Sequence, residues 1–495
     1  MIPLSIWSVN LLSENLLLLC SILFFAAVLV AKVGARFGVP SLLLFLLLGM
    51  AVGRDGLGLN FEDYEIAESI GHFAMTIILL AAGLETSFSD TKPVLRQGTL
   101  LSTVGVLLTV LVAGGFIYLA FGKTIGVSLL GAFLLASVMG STDSASVFSI
   151  LRSKRMHLRE NLGPMLELES GSNDPVAYSL TLIFVQSLLN IFNGGSADGW
   201  HILLSSAGLL ALQIVAGLAV GVATGYASEW LLSHLKLPGS ALYSIMILSI
   251  GFFANGVAEI LNGNGLLALY VAAIILGNKA ELPHRKEVLS FFNGMTWLMQ
   301  LVMFLILGLL ARPSIMLDVL WPALAIGLFI MFAARPAGVL LTLLPFRKLS
   351  LRAKLFASWV GIKGAGPILF ALCPVVAGLE GSSEMFNLVF IITLLSLLVQ
   401  GMTLGPAARA LKLSYDADPL PETFGMEIPS EMGMLRDHTV TREDLEKGST
   451  LRDLKLPHGI RVMMVRRGGT YLVPHGSMIL EEGDRLVIII GDSDD

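Results

Sequence analysis

The chain has 495 residues, of which 55% are hydrophobic and 14% charged, with mean hydropathy +0.80 and a formal charge of −5. Soluble proteins carry about 25% charged residues, so the balance excludes an ordinary soluble enzyme; the formal charge says little about partners, and no nucleic acid is expected among them. It describes an all-α polytopic membrane protein.

Crossing a hydrocarbon layer of about 30 Å takes about 20 helical residues. Apolar runs of that size, cut at Gly, Pro and charge clusters, predict about thirteen spans: roughly 14–33, 39–53, 67–84, 97–121, 127–151, 161–191, 201–233, 239–261, 264–277, 289–311, 316–345, 353–379 and 385–410. No basic stretch precedes the first run and no small-residue cleavage pattern follows it, so it is expected to stay as an anchor. Alternate loops hold eighteen basic residues: Lys32 and Arg36; Lys92 and Arg96; Arg152, Lys154, Arg155 and Arg159; Lys236; Lys279, Arg285 and Lys286; Arg347, Lys348, Arg352 and Lys354; Arg409 and Lys412. The intervening loops hold three: Arg54, Lys123 and Arg312. By the positive-inside rule the N-terminus is expected outside and the C-terminus in the cytoplasm, in a bacterial inner or plasma membrane.

Two spans are interrupted by polar residues. Gly140-Ser141-Thr142-Asp143-Ser144 breaks the fifth, and Gly361-Ile362-Lys363-Gly364-Ala365-Gly366-Pro367 breaks the twelfth. Their offset of seven spans is odd, so the two lie in opposite orientations, as in inverted-topology repeats whose broken, crossing helices meet at a midplane ion site. The sixth span carries Glu169-Ser170-Gly171-Ser172-Asn173-Asp174-Pro175, and the eleventh carries Arg335. Charges at that depth cost several kcal/mol, so such residues face a cavity, pair, or carry protons and ions.

Helical spacing sets Glu169 with Asn173 and Ser170 with Asp174. Asp174 supplies charge, while Ser170 and carbonyls freed by Pro175 supply the neutral oxygens that a dehydrated monovalent cation prefers. One Asp holds either a proton or a cation, and that competition is a complete exchange mechanism. The bland alternative is that Asp174 only bonds the backbone at Pro175. Glu169 reads as structural, paired with Arg335 or Lys363. Asp143 either caps the helix that follows or leaves Thr142 to face the ion. Lys363 either offsets the dipole ends of half-helices or pairs with Glu169. Glu85, Asn255, Glu259 and Gln300 are candidates to line a funnel, against the commoner case of polar groups meeting interfacial water. Cys20 and Cys373 lie in apolar spans without a framework of spacings, so neither a disulfide nor a metal centre is expected.

After Lys412 the composition turns polar. The chain is expected to divide into a transmembrane part, 1–412, a linker, 413–430, and a small α+β cytoplasmic domain, 431–495. Alternation predicts strands over 459–465, 470–473 and 484–490, with turns at Arg467-Gly468-Gly469 and Glu482-Gly483-Asp484, and Thr450-Leu451-Arg452-Asp453-Leu454 reads as a short capped helix.

Glu169-Ser170-x-x-Asn173-Asp174-Pro175, together with the Thr142-Asp143 break, resembles the monovalent cation:proton antiporter-1 family, the NhaP-like sodium or potassium/proton exchangers. The tail resembles the C-terminal lobe of potassium-conductance regulator domains, as in potassium/proton antiporters tied to cell-volume regulation. The resemblance implies an electroneutral antiporter of K+ (favoured) or Na+ against H+, working by alternating access, with no cofactor and no enzymatic activity. It also implies thirteen helices, a homodimer in lipid, a core domain moving against a dimerisation domain, and a small cytoplasmic effector at 431–495. By the same likeness Asp174 is the transport carboxylate, Thr142 and Ser170 are ion ligands, Asn173 holds the crossing half-helices and Glu169 pairs with Arg335. Three positions depart from the family pattern: Ala81 stands where a Glu is frequent in span three, Lys363 stands where Arg is usual, and Ser144 follows Asp143 where a Pro is commonly seen. Two other classes compete. A gated cation channel would want a repeated carbonyl filter, which the chain lacks, and an intramembrane aspartyl protease would want Tyr-Asp and Gly-x-Gly-Asp in its spans, where the chain offers Thr142-Asp143 and Ser172-Asn173-Asp174.

Overall fold

The computed structural model describes residues 15–37, 39–153, 156–194, 199–235, 237–279, 284–416, 435–440, 442–445, 450–453, 460–467 and 470–490. Contacts divide the chain into two units, Met1–Tyr415 and Asp416–Asp495.

The first unit is a helical bundle. Its helices are α1 (Leu16–Phe37), α2 (Ser41–Val52), α3 (Tyr64–Glu85), α4 (Phe88–Ile125), α5 (Leu129–Val138), α6 (Ser144–Ser153), α7 (Leu162–Phe192), α8 (Gly199–His234), α9 (Ser240–Ile260), α10 (Gly265–Lys279), α11 (Arg285–Leu310), α12 (Pro313–Leu343), α13 (Leu351–Trp359), α14 (Ala365–Val376) and α15 (Ser382–Ala410). Among the described residues nine of these have the length and apolarity to cross a membrane, and four shorter apolar helices, α2, α5, α10 and α14, complete the series. Span five is the pair α5/α6, interrupted at residues 139–143, and span twelve is the pair α13/α14, interrupted at residues 360–364. Side chains cap the starts: Asp63 Oδ1 accepts from Ile66 N at 2.9 Å, Ser128 Oγ from Gly131 N at 3.1 Å and Ser350 Oγ from Ala353 N at 3.1 Å.

The seven-span offset extends beyond the two breaks. α4 contains a π-turn at Leu101–Gly105, and α12, seven spans later, contains one at Ile330–Ala334. The second turn ends just before Arg335-Pro336, where the ring has no N–H and would crowd the carbonyl of an ordinary α-turn. The two helices touch nearby, since a Cβ on Gly338 would lie 2.8 Å from the Gly105 carbonyl oxygen. Matching irregularities in spans four and eleven, and in five and twelve, are what an inverted repeat predicts.

Packing sorts the helices into two groups. α4–α7 and α12–α15 pack together, while α2, α3, α8, α9, α10 and α11 form the other body. Lipid gives helices no hydrophobic reason to associate, so close approach at small residues matters more. Gly49 of α2 and Gly308 of α11 show it: a Cβ on Gly308 would stand 2.4 Å from the Leu46 carbonyl oxygen.

Beyond α15 the chain does not go straight into a linker at residue 413. β1 (Met156–Leu158) pairs with β2 (Ser414–Asp416), and Arg159 N donates to Leu413 O at 2.8 Å. The rest of the expected linker, residues 417–430, lies outside the described residues.

The second unit is a four-stranded antiparallel sheet in the order β3 (Leu435–Thr439), β6 (Arg485–Ile490), β4 (Ile460–Arg467), β5 (Thr470–Leu472). Val440, Val465, Leu480, Leu486 and Ile488 form its core. Its only described helix is α16 (Arg442–Leu445). The expected capped helix at Thr450 is a turn instead, for residues 451–453. Thr450 bridges to Ile479, and its Oγ1 donates to Asp453 Oδ2 at 2.5 Å, so the hydroxyl that resembled a helix cap closes a local turn. Gly483, at φ +91°, makes the turn before β6; the turn expected at Gly468-Gly469 lies outside the described residues. Arg467 donates through Nε and Nη2 to Asp484 at 2.9 and 2.7 Å, and this guanidinium holds the Asp484 carboxyl below the usual carboxylate range.

Candidate ion site

The two breaks meet. Asp143 N donates to Ile362 O at 2.8 Å, and Gly364 lies so close to Asp143 that a Cβ there would be 2.3 Å from its Oδ2. Each break leaves helix-end N–H or C=O groups without intrahelical partners, and the charges are placed to answer them. Asp143 Oδ1 accepts from Ser146 N at 3.1 Å and Oδ2 from Ser146 Oγ at 2.5 Å, which is the geometry of an N-cap on α6. Lys363, 2% exposed, donates from Nζ to Ser141 O at 2.9 Å, on the side of the break that follows α5. At the other break, Ser396 Oγ of α15 accepts from Lys363 N at 2.9 Å and donates to Gln400 Oε1 at 2.6 Å, and Gln400 Nε2 donates to Trp359 O at 2.8 Å.

α7 passes beside the first break. Asn173, fully buried, donates from Nδ2 to Thr142 Oγ1 at 2.5 Å and receives Thr142 N at 3.4 Å, and Ser170 Oγ donates to Thr142 O at 2.6 Å. Both Thr142 oxygens therefore already accept a bond from α7. Asp174 accepts a hydrogen bond from Ser141 Oγ through Oδ1. Glu169, on the same helix, forms a fully buried ion pair with Arg335 of α12. The two cations that sequence left open are thus distinguished: Arg335 takes Glu169, and Lys363 takes a backbone carbonyl.

The two carboxylates of α7 now stand apart in kind. Glu169 is neutralised by Arg335, whereas among the described residues no Lys or Arg forms an ion pair with Asp174. Asp174 instead faces a cavity of about 80 Å³ bounded by Ser141, Thr142, Asp143, Ser170, Gly171 and Gly366 on one side and by Met75, Ile78, Ala82, Gln300, Met303 and Phe304 on the other. A water's share of liquid volume is about 30 Å³, so this space suits one small ion with little hydration. The cavity lies on the seam between the two helix groups, since its second wall is α3 and α11.

Several participants gave no advance signal as site residues. Ser141 reaches Asp174; Ser146, Ser396 and Gln400 complete the breaks. Asn264, at the start of α10, donates from Nδ2 to Pro175 O and Ser179 Oγ, both at 2.7 Å, while its Oδ1 accepts from Leu267 N at 2.7 Å, which ties α7 to the other helix group. Of the candidates for a funnel, Glu85 and Gln300 border a second space of about 300 Å³ with Ser41, Glu167, Asn293 and Thr296. Asn255 and Glu259 border neither space; they bond each other at 2.9 Å.

A helical membrane bundle with paired interrupted spans and an unneutralised carboxylate where they meet defines an ion carrier of the exchanger class. The sodium/hydrogen exchanger transmembrane family matches residues 21–410, most of the chain, and the chain belongs to it; the TrkA-C domain matches residues 442–494. The K(+)/H(+) antiporter NhaP2 of Shewanella sp. (strain MR-4) is 37% identical over 482 residues, 96% of this chain and 81% of that relative. The K(+)/H(+) antiporter NhaP of Alkalimonas amylolytica is 34% identical over 477 residues, 96% of this chain and 80% of that relative. Among solved structures, the sodium proton antiporter MjNhaP1 from Methanocaldococcus jannaschii at pH 8 superposes with TM-score 0.67 at 23% identity, covering 79% of this chain and 97% of that one. At that identity the likeness is one of fold.

Proposed function

We propose that the protein is a secondary antiporter exchanging a monovalent cation, K+ in preference to Na+, for H+ by alternating access. The observation that carries this reading is the contrast on α7: Glu169 has a fixed cation, whereas Asp174 accepts a hydrogen bond from the Ser141 hydroxyl and faces a small cavity with no Lys or Arg in its lining. A buried carboxylate without a fixed partner must bind a proton or an ion, and with one such group the two exclude each other. Asp174 takes the charge of the cation, with Ser170 and Thr142 as the oxygen ligands drawn from α7 and the break; Ser141, which now bonds Asp174, joins them when the proton leaves. Asn173 and Asp143 hold the break in place. K+ is favoured because relatives matched over 96% of this chain are named K(+)/H(+) antiporters.

Alternating access follows from the position of the cavity on the seam: sliding one helix group past the other opens it to either face in turn. The distribution of basic loops supports an N-terminus outside and a C-terminus in the cytoplasm, with a bacterial inner membrane as the proposed location. The protein works as a homodimer, as its family resemblance implies, and the TrkA-C unit regulates it through a small cytoplasmic ligand.

Because Asn173 is neutral, one charge is available at the site, and one cation should cross per proton. In proteoliposomes an imposed pH gradient should drive K+ uptake, and Na+ uptake more weakly, with no current. Truncation after Asp416, which keeps β2, should retain exchange and lose its response to cytoplasmic ligands. Cation flux with current and without proton movement would point to a channel and overturn this reading.

A further inference from the structure

The larger space opens toward the face that carries the basic loops, since it is bordered by Glu85 at the end of α3 and Asn293 in the first half of α11. It meets the Asp174 cavity at a collar lined by residues common to both: Ile78 and Ala82 of α3 and Gln300 of α11. α11 carries polar residues into that collar. Asn293, Thr296 and Gln300 are spaced by three and four and so share one face of the helix. Along that face burial increases: Asn293 is exposed, Thr296 half-buried, and Gln300 only 8% exposed.

These groups are not spent on the helix itself. Several buried hydroxyls in the bundle bond back to the carbonyl four residues earlier, as Thr109 does to Gly105 at 2.7 Å and Thr181 to Ala177 at 2.8 Å. Thr296 Oγ1 is buried and, among the described residues, has no partner. Gln300 likewise makes no hydrogen bond among the described residues, and it is the one polar side chain that α3 and α11 contribute to the Asp174 cavity. A buried hydroxyl without a partner costs free energy, and the Gln300 amide borders the same space, so both stand ready for whatever passes there.

We propose that Gln300 Oε1 and Thr296 Oγ1 form a transit station for a partly dehydrated monovalent cation between the vestibule and Asp174, with Gln300 setting its apparent affinity and selectivity. Two neutral oxygens suit the task. They replace part of the hydration shell as the ion passes the collar, and without charge they hold it weakly enough to release it to Asp174. They also do not titrate, so the station adds no second proton site. Glu85 and Glu167 border the vestibule on the approach and raise the local cation concentration.

This inference rests on the antiport reading, and the test separates the two. Gln300→Met keeps the volume and removes the amide; Thr296→Val removes the hydroxyl. In oriented proteoliposomes Gln300→Met should raise the K+ concentration for half-maximal exchange by about tenfold, about 1.4 kcal/mol, when K+ is offered at the face with the basic loops. The maximal rate should fall by a smaller factor, the order of preference among Li+, Na+, K+ and Rb+ should change, and half-saturation from the opposite face should move little. Thr296→Val should shift in the same direction by less. Unchanged half-saturation and ion order in Gln300→Met, with normal exchange by the unmodified protein, would overturn the station alone. A uniform loss from both faces and for all ions, with lowered thermal stability, would also overturn it by making Gln300 structural. Absence of exchange by the unmodified protein would overturn the antiport reading and this one together.

Discussion

Asp174→Asn is expected to reduce cation/proton exchange to the leak of protein-free liposomes while leaving a folded protein. The substitution keeps an acceptor for the Ser141 hydroxyl, so the α7 to break contact survives. It removes the α7 carboxylate that faces the cavity, and with it both the proton and the charge that holds the cation. Neighbouring contacts are independent of it: Asn173 with Thr142, Ser170 with Thr142 O, and Lys363 with Ser141 O. Thermal stability close to that of the unmodified protein, together with no exchange, is the predicted pair of results. Retained exchange would mean that another group carries the proton.

Glu169→Gln has the opposite expectation, a loss that falls on stability. The Arg335 guanidinium would be left buried without its carboxylate, and removing one partner of a buried pair costs about 3–5 kcal/mol. Its Nε already has no partner among the described residues, so no alternative acceptor stands ready. Arg335→Ala should cost a similar amount by stranding Glu169. The double change, Glu169→Gln with Arg335→Ala, should cost clearly less than the two losses added, because both remove one interaction. Unfolding of the three variants in the same detergent measures this, and strict additivity would contradict the pairing.

The parts of the molecule that the sequence showed plainly are those with a long physical signature. A continuous apolar run of about 20 residues is rarely stable anywhere but in a bilayer, and Gly, Pro and charge within it mark where the helix opens. Hence the thirteen segments, the breaks at 139–143 and 360–364, and the carboxylates of α7 were legible. The residues by themselves did not choose between Arg335 and Lys363 for Glu169, since both are cations in apolar spans far along the chain; the family likeness pointed to Arg335, and the ion pair in the structure is with Arg335. Ser141 was visible only as part of a break, and Ser396 was hidden for a different reason. Hydroxyls in membrane helices mostly bond their own backbone, as Thr109 and Thr181 do, so a serine in an apolar run does not announce a partner in another helix. Thr450 misled in the converse way: a Thr three residues before an Asp resembles a cap, but here it closes a turn next to a bridge to Ile479. The π-turns of α4 and α12 leave no mark in composition, although Arg335-Pro336 sits where the second one ends.

The central claim is that one carboxylate holds either a proton or a cation. Proton release on cation binding tests it most directly: K+ is added to the purified, weakly buffered protein at a pH where the site is protonated, and the released protons are counted. The account predicts one proton released per chain, saturating with K+, and none from Asp174→Asn. Saturable K+ binding without proton release, or equal release from Asp174→Asn, would contradict it.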